Sequence, residues 1–216
     1  MLRILLAIVF ALIAAATTMA YDAQPRQAVS LAGSWVVNAA ASDDLDKLVS
    51  GLVAKEEKEL RRWRQRMEEE DRFSVLDSSP DTPASQHRRA AEDEFKRMIG
   101  AANRLEIGQD GAKLEMRSDL DVRRFEAGSS SQVSMRNGDI ADSRVGWDGD
   151  WFVIDRKVPR GAREVEKLRL ISKTGQLEYV VQWSGDTELS GVKLRRIFDK
   201  AASDGMPTDP AAGPVR

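Results

Sequence analysis

Cysteine is absent from the 216 residues, and histidine occurs once. The first absence excludes disulfides, thiol chemistry, cysteine-ligated metals and a lipid-modified cysteine behind a leader. The second leaves His87 with no imidazole partner. A zinc site would then rest almost wholly on carboxylates, and no local motif supplies a His-activated serine. His87 reads as an exposed residue in the first turn of a helix. Long apolar runs are equally scarce, the one candidate being residues 4–16. It is shorter than the roughly 20 residues a spanning helix needs. Arg3 precedes it and small residues follow up to Thr18-Met19-Ala20, which is the three-part layout of a signal peptide cut after Ala20. A retained anchor is the competing reading. Export to the periplasm or beyond, from a bacterial-type cell, is the expectation.

Nor is there an excess of charge of one sign. The 33 basic residues less Arg3 leave 32 against 35 acidic ones, net −3 for the mature chain. That balance gives no case for nucleic acid. The 196 residues left after removing the first 20 are enough for one domain with a real core. The expected organisation is a signal peptide at 1–20, a single β-barrel domain at 21–200 with a helical hairpin inserted at 43–103, and a disordered tail at 201–216.

What is present is a change of period along the chain. Residues 31–38 (LAGSWVVN) put Leu31, Gly33, Trp35 and Val37 on one side of a first strand. Ser42 or Asp43 can cap the next segment, where Leu45, Leu48, Val49, Leu52, Val53, Leu60, Trp63 and Met67 recur at helical spacing. SVLDSSPDTP reads as a loop, and Thr82-Pro83 opens a second helix with Ala91, Phe95, Met98, Ile99 and Ala102 on its apolar stripe. From Arg104 the period becomes two. Leu105 and Ile107, a turn at Asp110-Gly111, then Leu114 and Met116 form a hairpin signal. Asn137-Gly138, Asp148-Gly149 and Lys173-Thr174-Gly175 supply further turns. The expected fold class is mainly β (α+β): an antiparallel barrel of about eight strands with a two-helix insertion after the first.

In the last strand Val192, Leu194, Arg196 and Phe198 share a face, with Lys193, Arg195 and Asp199 on the other. An arginine facing a core needs a partner, and Trp35 offers a π face at the seam where a barrel closes. With Gly33-Ser34-Trp35 on the first strand and Arg196 on the last, the chain resembles the lipocalin and wider calycin barrels, where a Gly-x-Trp packs beneath an arginine from a late strand. The Thr-Asp-Tyr motif of true lipocalins is missing, and two helices stand where those proteins have a loop. The chain is also similar to a set of uncharacterised exported bacterial proteins with later runs like residues 147–156 (WDGDWFVIDR). Both resemblances imply a barrel; neither implies an activity.

A barrel of eight strands is either filled by its own side chains or just wide enough for one small ligand. Leu177, Tyr179, Val181 and Trp183 alternate with smaller or polar residues, so one strand would line the interior with large groups. The candidate ligand contacts are Trp35, Met116, Tyr179, Val181 and Trp183; the candidate structural seam is Gly33, Trp35 and Arg196. No catalytic residue, metal ligand or cofactor is assigned. Asp148, Asp150 and Asp155 invite a metal, yet Asp148-Gly149-Asp150 sits where a hairpin must turn, and its spacing is not that of a calcium loop. Arg61-Arg62-Trp63-Arg64-Gln65-Arg66 is flanked by glutamates, so pairs such as Glu57 with Arg61 make it a solvated helix face. Two readings lead: a module binding a small apolar molecule or lipid, and a filled barrel whose hairpin 43–103 contacts an envelope protein. An enzyme ranks last, since no nucleophile, metal cluster or phosphate loop stands out.

Overall fold

The computed structural model describes residues 21–69, 84–135, 138–158 and 161–201. Residues 1–20, read above as a signal peptide, Thr82-Pro83, read as a helix start, Asn137 and the tail from 202 lie outside the described residues. The chain forms β1 (Gly33–Val37), a short 3-10 turn (Ala39–Ala41), α1 (Leu45–Glu69) and α2 (Ala84–Ile99). A long antiparallel meander follows: β2 (Arg104–Asp110), β3 (Lys113–Ser118), β4 (Val122–Glu126), β5 (Ser130–Ser134) and β6 (Ile140–Asp148). It continues through β7 (Trp151–Lys157), β8 (Arg163–Ile171), β9 (Gln176–Ser184) and β10 (Lys193–Lys200).

All ten strands belong to one sheet, ordered β4-β3-β2-β1-β10-β9-β8-β7-β6-β5. β1 pairs with both β2 and β10, which draws the two ends of the meander together. The result is a mainly-β, curled antiparallel barrel with two helices inserted after β1. Ten strands stand among the described residues, against an expectation of about eight. β4 (VRRFE) and β5 (SSQVS) offer few apolar residues, so their sequences carry a weak period-two signal, and both are mostly exposed. These two strands are the sheet's edges, and no ladder joins them among the described residues. The chain crosses from one to the other at Ala127–Ser129, where Gly128 N–H donates to Val145 O at 2.8 Å. The curl is therefore closed at that end and open along the β4/β5 seam above it.

Inward-facing residues divide into two apolar layers. The lower contains Trp35, Leu105, Ile107, Leu114, Met116, Trp147, Phe152, Ile154, Leu168, Leu177 and Phe198. Phe152 sits edge-on to Trp147 at 5.3 Å and to Phe125 at 6.2 Å between ring centres. The upper layer joins Val49 and Val53 of α1 and Phe95 and Ile99 of α2 to Val181, Trp183, Leu189, Val192 and Leu194. The helical pair thus packs on one rim of the barrel. The cap of α1 is Asp44, not Ser42 or Asp43: its carboxylate accepts from Lys47 N–H at 3.0 Å. Asp43 and Ser42 instead bind β10, at Arg195 N–H (2.7 Å) and Ile197 N–H (2.9 Å). Register against β10 decides which hydroxyl or carboxylate is left for the helix.

The free edge of β6 beyond β5 is covered by the start of the described chain. Asp22 and Trp147 exchange backbone hydrogen bonds at 2.9 and 2.8 Å. Gly146 makes that approach feasible, since a Cβ there would lie 2.7 Å from Asp22 O and from Tyr21 Cβ. On the outer face Asp155 gathers Arg163 (2.8 and 2.9 Å), Arg144 (3.2 Å) and the Tyr21 hydroxyl (3.2 Å). Of the three aspartates considered for metal binding, Asp148 and Asp150 flank the exposed β6–β7 turn, while Asp155 is buried among these cations.

Candidate functional site

Between the two apolar layers the barrel interior is charged. Alternation puts Arg123 beside Phe125 on β4, Arg156 beside Phe152 and Ile154 on β7, Glu164 and Glu166 beside Leu168 on β8, and Tyr179 and Trp183 on β9. Glu166 is the centre of this group and is 1 % exposed. It accepts from Arg123 Nη1 at 2.6 Å, from Arg156 Nη1, and from the Tyr179 hydroxyl at 2.7 Å. Glu164 accepts from the same Arg156 nitrogen at 2.5 Å and from the Trp183 indole N–H at 3.0 Å. Two guanidiniums and two carboxylates balance, which a buried ionic cluster requires.

The two glutamates are pushed in opposite directions. Burial would raise Glu166, but the Arg123 and Arg156 guanidiniums outweigh it and hold the carboxyl well below its usual range. Glu164 is raised, first by burial and then by the neighbouring Glu166 charge. Burial also lifts the Tyr179 hydroxyl far above its ordinary value, with the Glu166 charge adding to it, so it stays a donor. A carboxyl raised on folding contributes stability that is complete at low pH and lost as pH rises through its folded value. Glu164→Gln should therefore be more stable than wild type at pH 8, with the advantage shrinking as pH falls into the ordinary carboxylate range. Urea unfolding at several pH values checks this.

Above this cluster lies a half-open cavity of about 1060 Å³. Its walls come from the barrel interior (Arg156, Glu166, Tyr179, Val181), the seam strands β4 and β5, and the end of α2 at Met98 and Ile99. The sequence-selected ligand contacts fall into two groups. Tyr179, Val181 and Trp183 border the cavity. Trp35 and Met116 do not; both are packed into the apolar layer beneath it. The seam residues are also arranged differently from the expectation. Trp35 donates its indole N–H to Leu31 O at 3.1 Å, and a Cβ built on Gly33 would lie 3.5 Å from both Lys200 Cε and Trp35 Nε1. Arg196 reaches Asn103 Oδ1 at 2.9 Å. The cation–π pairs among the described residues are Arg123 over Phe125 and Arg169 over Trp151. Arg195, on the face opposite Arg196, is tied to Glu178 at 2.5 Å and to Ala41 O at 3.2 Å.

No family model matches the chain, and no curated protein matches it in sequence. Solved structures similar to it include Caenorhabditis elegans lipid binding protein 8 in its apo form (14% identity, TM-score 0.46, covering 81% of this chain and 100% of that one). Human cRBP IV is similar at 14% identity and TM-score 0.45, over 81% and 100% of the two chains. A "REP1-NXSQ fatty acid transporter" is similar at 16% identity and TM-score 0.43, over 80% and 96%.

Glu164, Glu166, Arg123 and Arg156 escape sequence reading because a charged residue in a strand is by default assigned to solvent. A signal for them exists. Period two places Glu164 and Glu166 on the face of Leu168 and Leu170, and Arg156 on that of Phe152 and Ile154. Opposite charges on the inward faces of neighbouring strands can then be matched.

The helices carry a second surface. Val49 and Val53 are buried, but farther along α1 Leu60 is 48 % and Trp63 41 % exposed, although both continue the apolar stripe. Arg61 pairs with Glu57 at 4.0 Å, and Arg62, Arg64 and Arg66 are exposed. His87 lies on α2, and its side chain is outside the described residues. No helix among the described residues is long and apolar enough to cross a membrane.

Proposed function

We propose that the protein is an exported binding module that holds one small, largely apolar molecule or lipid in its barrel. The observation that carries this reading is the cavity of about 1060 Å³ between the barrel interior and α2, large enough for a drug-sized or single-chain lipid ligand. Its upper wall is apolar at Met98, Ile99, Val181 and Leu189, and its depth is polar at Arg156, Glu166 and Tyr179. That gradient suits a molecule with an apolar body and a polar end. The β4/β5 seam, which has no ladder to break among the described residues, is the natural entrance.

The test is titration of the mature protein with N-phenyl-1-naphthylamine, an uncharged probe that fluoresces in apolar surroundings, alongside native mass spectrometry of protein purified gently from the periplasm. Saturable binding of one probe per chain, or a co-purifying molecule that the probe displaces, is the expected result. A clean apo mass with no saturable probe binding would overturn it. The export half of the proposal rests on residues 1–20. It predicts a periplasmic protein beginning at Tyr21.

A second reading is favoured by Leu60 and Trp63: α1 contacts an envelope protein through its far half. Loss of a pull-down partner on L60S/W63S substitution, with probe binding unchanged, would support that role.

A further inference from the structure

The polar end of the cavity already contains an anion, and it belongs to the chain. Two guanidiniums and a phenolic hydroxyl converge on one carboxylate, Glu166, which is buried on the cavity wall. That is the donor set a carboxylate ligand would need, since paired guanidiniums are the strongest neutral-pH partners for such a group. Here the Nη1 donors of both arginines are committed to the chain's own carboxylates. Arg156 is further engaged by Glu164, so it is shared between two internal carboxylates. Nor does the rest of the lining favour anions: outside the cluster, the described residues bordering the cavity include three arginines against six aspartates or glutamates. An incoming carboxylate would meet a negative margin and then have to evict Glu166 from a salt-bridged, desolvated seat.

We infer that Glu166 is an internal surrogate anion that sets ligand selectivity, so that the cavity takes amphiphiles with an uncharged head, such as long-chain alcohols or esters, and rejects the corresponding carboxylates. This rests on the cavity-binding reading and names the ligand class for it. An uncharged hydroxyl or carbonyl needs no counter-ion and leaves the Arg123–Glu166–Arg156 cluster intact. Removing the Glu166 charge while keeping its shape would leave Arg123 without its close carboxylate and Arg156 with Glu164 alone, an uncompensated guanidinium charge at the cavity that turns the same site into a carboxylate receptor.

The experiment measures displacement of N-phenyl-1-naphthylamine from the full mature protein at pH 7.5 by tetradecanol and by tetradecanoate, in wild type and in Glu166→Gln. Wild type should be displaced at least tenfold more effectively by the alcohol, and E166Q should move the ratio at least tenfold toward the acid. Equal or better displacement of wild type by tetradecanoate overturns the inference while leaving the binding module standing. So does an unchanged ratio in a folded E166Q. If E166Q does not fold, the wild-type ratio decides alone. Failure of folded wild type to bind the probe or either amphiphile removes the cavity reading and this inference with it.

Discussion

Arg156→Met should lower the unfolding free energy by about 3–5 kcal/mol, the usual result of deleting one partner of a buried ion pair. Arg156 is buried and is the one cation shared by Glu164 and Glu166. Methionine fills much of the space but returns neither hydrogen bond. Glu166 would keep Arg123 and Tyr179; Glu164 would keep only the Trp183 indole. The cheapest escape is for Glu164, already raised in the wild type, to hold its proton more tightly. Folded protein would then bind more protons than unfolded, and the deficit should be largest at pH 8 and shrink towards pH 5. Urea titrations at the two pH values check both magnitude and slope. A loss below about 1 kcal/mol at pH 8, as for a surface pair, would mean the cluster is hydrated rather than dry.

Phe152→Ala should cost a similar amount, about 3–5 kcal/mol, by leaving a void in a layer with few ways to collapse. Phe152 is fully buried and is the ring against which Trp147 and Phe125 both stand edge-on. Phe125 also borders the cavity above. The void would therefore join the ligand space, and the variant should accept longer or bulkier apolar molecules than wild type. Differential scanning calorimetry gives the stability loss, and displacement assays over a series of chain lengths give the change in capacity. Unchanged length preference would show that the two spaces stay separate.

The two arginines of β10 show how alternation can be right about faces and silent about partners. Arg196 does face inward, yet it is held by Asn103 rather than by a tryptophan face. Arg195 does face outward, yet it is held by Glu178, whose carboxylate also binds Arg169. Which strand lies next to β10, and in what register, is a nonlocal fact: Arg196 stands opposite Tyr179, and Trp35 opposite Lys200. Likewise Trp35 and Met116 read as inward-facing, and they are, but depth along the barrel separates them from Val181 and Trp183, with Tyr179 packed against both layers. Alternation has no coordinate for depth.

By itself the sequence determined the switch from helical to strand period at Arg104, the hairpin turns at Asp110-Gly111 and Asp148-Gly149, and the strand of Leu177, Tyr179, Val181 and Trp183. These follow from local sterics and from the burial pattern of single elements, which act over a few residues. The tertiary structure alone decided that no ladder joins β4 to β5 among the described residues, that the end of α2 borders the cavity they line, and that four charged side chains from β4, β7 and β8 share one buried site. The reason is physical. A buried charge survives only beside its opposite: Arg156 meets Glu164 and Glu166 across the β7–β8 pair, but Arg123 lies far from Glu166 in the chain, so only the curl of the sheet can bring it in.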